Sequence, residues 1–181
     1  GHTQKGVDFD GTDDRMVAND VATDGLANGS DAAFSYIVVF RTESITGTHS
    51  IIEAGGTNAR AGVRTISATL AAFKSDDAAA SVTVASGSIL NTSDALIVSM
   101  VVPGTTATVW RNGVQVANGA FDIGTLTITQ FTIGASLNAG GNAHAGEISE
   151  VLAFTRSLTT QERKAIERYL GQKYSIAVAN D

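Results

Sequence analysis

Few residues of this chain have the type and spacing to do chemistry, and most of those are acidic. Glu147 and Glu150 come nearest to a catalytic pair, because retaining glycoside hydrolysis takes two carboxyls about 5–5.5 Å apart on one face. Side chains of a regular strand alternate, so residues an odd number apart are predicted to point to opposite faces. Glu147 is therefore expected at a rim and Glu150 on a solvent face. Asp8, Asp10, Asp13 and Asp14 crowd one turn, and Asp10, Asp13 and Asp14 offer the hard oxygen ligands that calcium takes. The run Asp10-Gly11-Thr12-Asp13 is also ordinary turn chemistry, in which Asx side chains bond local amides, and the expectation is a turn without metal or other cofactor. No serine sits in a Gly-x-Ser-x-Gly elbow, and His2, His49 and His144 lack triad or zinc spacing. Gly55-Gly56-Thr57-Asn58-Ala59-Arg60 has no Gly-Lys-Ser/Thr ending and is read as a loop between strands, not a phosphate cradle. The chain is read as non-enzymatic.

Recognition chemistry falls elsewhere. Asn112-Gly113 between Val109-Trp110-Arg111 and Val114-Gln115-Val116 is the signal of a type I′ hairpin, whose two turn residues both take positive φ. A two-residue loop pairs Arg111 with Val114, Trp110 with Gln115 and Val109 with Val116. Val109 and Val116 then face the core and Trp110 turns outward, where an indole stacks on sugars or anchors a protein partner unless the terminal helix or a long loop covers it. The polar, glycine-rich run from Asn138 to His144 precedes the last strand, at an end where loops carry recognition. Asn138, Asn142 and His144 are its candidate ligand contacts, with Arg64, and beside it Arg60, as donors from another strand and loop.

The elements that must position these residues are strands. Nineteen glycines stand against one proline, and Thr, Ser, Asn and Asp fill the gaps between Val/Ile/Phe runs, as in short strands joined by turns. The predicted strands are 7–9, 16–18, 34–42, 49–53, 61–67, 69–74, 81–85, 96–102, 107–111, 114–117, 126–133 and 148–154. Helical periodicity appears only at the end. Thr159 is the expected N-cap and Glu162 completes a capping box. Ala165, Ile166, Tyr169, Leu170 and Tyr174 form the expected apolar stripe, with Arg163, Lys164, Glu167 and Arg168 in water.

The chain has 181 residues, 43% hydrophobic, and is read as one domain over residues 1–181, with a flexible or arm-like start at 1–6 and the helix at 159–174. A net charge of −6 with scattered Lys and Arg excludes nucleic acid as a partner. The absence of cysteine excludes a disulfide scaffold. No apolar run is long enough to span a bilayer, so no membrane insertion is expected.

Several of these motifs carry a family resemblance. Val7 to Asp14 resembles the "FDG-x-DD" opening of laminin-G-like, concanavalin A-like jelly-roll domains. Val109 to Val114 is similar to their "l-Y-v-N-G-v" hairpin, with Trp110 in place of the usual Tyr, and Gly146 to Thr159 to their "G-x-I-x-E-v-l-v-y-x-R-x-L-s" strand and exit. The run Glu162 to Ser175 resembles the tail of the bacterial and phage branch. The resemblance implies an all-β fold: a two-sheet antiparallel jelly-roll β-sandwich with one C-terminal α-helix. It implies a non-catalytic recognition or structural module of phage virions or secreted proteins. The first expectation is a virion-surface protein, a capsid decoration or tail-associated component with glycan-binding capacity, partnered by virion or cell-surface proteins, glycans or further copies of itself. The alternatives are a carbohydrate-binding module of a secreted bacterial protein and a diverged glycoside hydrolase of the laminarinase type. That group carries Glu-x-Asp-x-Glu on one strand, where this chain has Ser149 for the bridging Asp.

Overall fold

A computed structural model of the protein describes residues 6–19, 29–56, 59–75, 81–122, 124–137 and 141–179. The strands are β1 (Val7–Asp10), β2 (Met16–Asn19), β3 (Gly29–Ser30), β4 (Phe34–Thr42), β5 (Thr48–Gly55), β6 (Arg60–Ile66) and β7 (Thr69–Ser75). They continue with β8 (Ser81–Ala85), β9 (Leu96–Val102), β10 (Thr106–Arg111), β11 (Val114–Ala120), β12 (Thr125–Leu126), β13 (Gln130–Ile133) and β14 (Ala145–Phe154), and α1 (Thr160–Tyr174) closes the chain. One six-stranded sheet runs β1-β14-β4-β9-β10-β11 and the other β2-β13-β5-β6-β7-β8, with β12-β3 as a small ribbon. Every pairing is antiparallel. The expected start at 1–6 lies, apart from Gly6, outside the described residues. The expected single strand 126–133 is two short pieces, β12 and β13, broken over 127–129.

The period-2 pattern explains how β4 and β9 sit between two apolar layers. Phe34, Tyr36, Val38 and Phe40 of β4, with Leu96, Val98, Met100 and Val102 of β9, face the core between the sheets, against Ile52, Ala54, Ala61, Val63, Leu70 and Ala72. The alternate residues Ile37, Val39, Ile97 and Val101 meet Leu158 and Leu170 in a second layer under α1. Ser35 ties the entry to the helix down, its Oγ accepting from the Leu158 amide at 2.9 Å and donating to the Arg156 carbonyl at 3.0 Å.

Thr159 caps α1 and the capping box with Glu162 is complete. The Glu162 carboxyl is held down at about 2 by the Arg156 guanidinium and by the Thr159 amide and hydroxyl. The buried face of α1 is rotated from the expected stripe: Arg163, Glu167, Leu170 and Gly171 are buried, whereas Tyr169 is 58% exposed. The charges go inward because the sheet beneath offers partners. Arg163 forms an i,i+4 ion pair with Glu167, Ser99 of β9 donates to Glu167 at 2.7 Å, and the Arg163 guanidinium lies 4.3 Å from the centre of the Trp110 ring.

The hairpin forms with Asn112 at φ 49° and Gly113 at φ 86°. Trp110 pairs with Gln115 and Arg111 with Val114, but a bulge shifts the register so that Val109 meets Ala117 and not Val116. Trp110 turns away from the main core, as expected, and into the layer under α1, where Arg163 covers it. A Cβ on Gly113 would lie 2.7 Å from the Ala179 carbonyl oxygen, because residues 176–179 cross the hairpin tip and the Ala179 amide donates to Asn112 O. Gly113→Ala is therefore expected to cost about 1–2 kcal/mol from its left-handed backbone. The check is a lowered midpoint of chemical denaturation, and an unchanged midpoint would contradict that backbone cost.

Candidate functional site

A single carboxylate organises the outer face of the second sheet. In β5, Ile52 and Ala54 point to the core, so Glu53 between them points outward. The same alternation in β6 sends Ala61 and Val63 inward and Arg60, Gly62 and Arg64 outward. Glu53 is fully buried nonetheless. Its Oε1 accepts from Ser50 Oγ at 2.8 Å, from Arg64 Nε at 2.8 Å and from Arg64 Nη2. Its Oε2 accepts from Ser136 Oγ and from the Leu137 amide, both at 3.1 Å, and lies 3.7 Å from Arg60 Nη1. The Arg64 guanidinium stacks on Phe73 of β7, 3.3 Å from the ring centre, and the Arg60 guanidinium stands 5.6 Å from the same ring. Burial lowers the Arg64 guanidinium from its ordinary value, opposed by the nearby Glu53 charge.

Glu53 is too well supplied with donors to act as an acid or base. Among the described residues, two guanidiniums against one carboxylate leave the cluster donor-rich and positive. Arg60 reaches solvent, with its side chain 18% exposed, and its Nη1 also donates to Ser136 at 2.9 Å. Such an arrangement can receive a carboxylate or sugar hydroxyls beside an aromatic ring.

The loop before β14 is built onto this cluster. Gly134 takes φ 86° and Asn142 φ 54°, and three amide bonds fold the loop back: Ser136 to Gly141 O at 2.9 Å, His144 to Gly134 O at 2.7 Å and Ser50 to Asn142 O at 2.8 Å. Sequence reasoning singled out Arg64 and this loop separately, and the structure joins them through Glu53. Asn142 is exposed, and Asn138 lies outside the described residues.

His144 is not displayed for a ligand. It is fully buried, with its ring 6.3 Å from that of Phe9 and 5.8 Å from that of Phe40. Strand alternation does not extend to it, because it precedes β14 and turns inward between the sheets. Burial pushes its imidazole down to about 4. Trp110 is half-buried under α1 rather than presented outward.

The acidic candidates also fall differently from expectation. A bulge in β14 sets Ile148 opposite Phe40 but Glu150 opposite Val39. Ser149 is thus the extra residue, and Glu147 and Glu150 share one face instead of diverging. Each is engaged separately: Glu147 accepts from the Gly6 amide and from Ser149 Oγ, and Glu150 from Lys173 Nζ and Tyr174 Oη. Asp10, Asp13 and Asp14 do converge, with one carboxylate oxygen of each within 4.8 Å of the others. They are exposed, and two already accept local amides: Asp10 from Thr12, the pattern of an Asx turn, and Asp14 from Asp10.

Sequence reasoning missed Glu53. Its signal was one carboxylate inside the apolar run Ile51-Ile52-Glu53-Ala54, with two arginines four apart on one face of the next strand.

No protein-family model matches the chain, and no curated protein matches it in sequence. Solved structures resemble it in fold. The CBM40 of the Ruminococcus gnavus IT-sialidase, bound to α2,3 sialyllactose, has a TM-score of 0.70 at 12% identity, over 90% of this chain and 96% of that one. The binding domain of botulinum neurotoxin serotype G matches with a TM-score of 0.70 at 12% identity, over 87% of this chain and 40% of that one. A heptameric SAP-like pentraxin from Limulus polyphemus gives 0.66 at 13%, over 92% and 83%. The class defined is thus a β-sandwich jelly roll. In this chain the helix lies on one sheet and the Glu53–Arg64–Arg60 cluster on the other.

Proposed function

We propose that the chain is a non-catalytic glycan-binding module of the concanavalin A-like, laminin-G-like kind, and that acidic glycans dock where Arg60 meets solvent. The observation that carries this reading is the Glu53 cluster, which holds two guanidiniums against Phe73 and leaves the Arg60 edge open. The shared fold with a sialyllactose-bound module supports a sugar as the ligand. Glu147 and Glu150 are each tied to other groups, which supports binding without hydrolysis.

Arg60→Ala is expected to lower the affinity for sialylated glycans about tenfold or more, the worth of a hydrogen bond to a charged group, with little change in thermal stability. A glycan array probed with both forms reads this, and an array without acidic hits would count against the proposal. The setting we propose is a virion surface, with a secreted bacterial protein as the alternative. Purified particles carrying many ordered copies would support the first.

A further inference from the structure

His49 and His144 tie the segment 141–144 to its surroundings, and their ring nitrogens face opposite chemistry. His49 lies between two carbonyl oxygens, with Nδ1 2.6 Å from Ala143 O and Nε2 2.7 Å from Thr46 O. A neutral imidazole carries one N–H and can satisfy one carbonyl, leaving a lone pair against the other. The imidazolium donates to both. His144, next in the chain to Ala143, is the reverse case. Its Nε2 lies 3.2 Å from Arg41 O and its Nδ1 is buried with no partner, so one proton is satisfied there and a second would have no acceptor.

We propose that His49 and His144 form a proton-operated clamp on segment 141–144, closed when His49 carries a proton on each ring nitrogen and His144 carries one on Nε2 alone. The surroundings keep the two protonation states apart. The charge of His49 disfavours a charge on His144, which burial already disfavours. Arg41 and Glu43, paired at 3.0 Å, bring opposite charges to His144. Strand β6 offers His49 the uncharged Thr65, and Asp10 of β1, opposite Ala145, is exposed to water. A proton on each ring nitrogen of His49 therefore adds the second His49 bond and tightens 141–144 on the turn from Thr46 to Ser50. Stronger acid, below about 4, forces a proton onto His144 and opens the clamp. The device stands whether or not the chain binds glycans.

Long-range 1H–15N NMR of the imidazoles of the intact protein at about pH 6 tests it without a variant. The expected result is protons on both nitrogens of His49 and on Nε2 only of His144. As a second reading, amide exchange of Ser50, which donates to Asn142 O, is compared between the protein and His49→Gln from about pH 8 to 5. His144 is present in both, so the ratio reports what His49 contributes, directly and through its charge on His144. The protein's protection should gain about tenfold over that of the variant on acidification, a factor within reach of one charge-assisted hydrogen bond. A constant ratio, a bare His49 nitrogen at the acid end, or a doubly protonated His144 at about pH 6 overturns the proposal.

Discussion

Replacing Glu53 with alanine is expected to destabilise the fold by about 3–5 kcal/mol, the cost of removing one partner from a buried ion pair. The loss comes from what stays behind. Arg64 is buried over Phe73 and would keep a charge with no carboxylate beside it. Ser136 Oγ and the Leu137 amide would lose the Oε2 atom that pins their turn to β5. Removing both charges at once should be gentler, because apolar side chains of similar volume can replace a buried pair at little net cost. The double variant Glu53→Leu with Arg64→Leu is therefore expected to be more stable than Glu53→Ala. Urea denaturation measures both. A Glu53→Ala loss below about 1 kcal/mol, the net worth of one ordinary hydrogen bond, would mean that the cluster is not a structural anchor.

The second large effect is an acid sensitivity carried by His144. Its imidazole is lowered from 6.5 to about 4 in the fold, so between those values the unfolded chain binds a proton that the folded chain refuses. Stability from this group is fully present above about pH 6.5, falls as the pH drops through that window, and levels off below about 4. The total is on the order of 3 kcal/mol. Glu162 acts in a different window. Its carboxyl is depressed from 4.5 to about 2, so its contribution is present above about 4.5 and is lost as the pH falls through about 2. His144→Phe keeps a ring between Phe9 and Phe40 and removes the titration. It should flatten the stability profile from about pH 6.5 to 4, and a variant with the parent slope would place the acid sensitivity elsewhere.

Alternation and end signals made most of the fold legible. Phe34 to Thr42 and Leu96 to Val102 read as strands because β-branched and aromatic residues dominate them, and Thr159 with Glu162 marked the start of α1 to the residue. What failed was whatever depends on a neighbour in space. The bulges at Ser149 and after Val109 change which side chains share a face, and a strand's own sequence does not announce one extra residue. Arg163 and Glu167 looked solvated because charge was judged one residue at a time. Their burial is an outcome of Ser99 and Trp110 lying beneath them.

The candidate site was half legible for the same reason. Arg64, Arg60 and the loop from Asn138 to His144 stood out by residue type, and what joins the two arginines to Ser136 and Leu137, just before that loop, is Glu53, whose chemistry is visible only once β5 and β6 are in register. Trp110 and His144 stood out as well, and each is covered by an element distant in sequence, α1 in one case and the β4 side of the sandwich in the other.

Arg60 is the place where a glycan is expected to land. Titration of the 15N-labelled protein with α2,3-sialyllactose, and separately with lactose, tests it directly. The expected result is saturable amide shifts at Arg60, Phe73, Ser136 and Leu137 with the sialylated sugar, weaker or absent with lactose and lost in Arg60→Ala. Shifts clustered instead around Trp110 and α1, or none at all with either sugar, would contradict it.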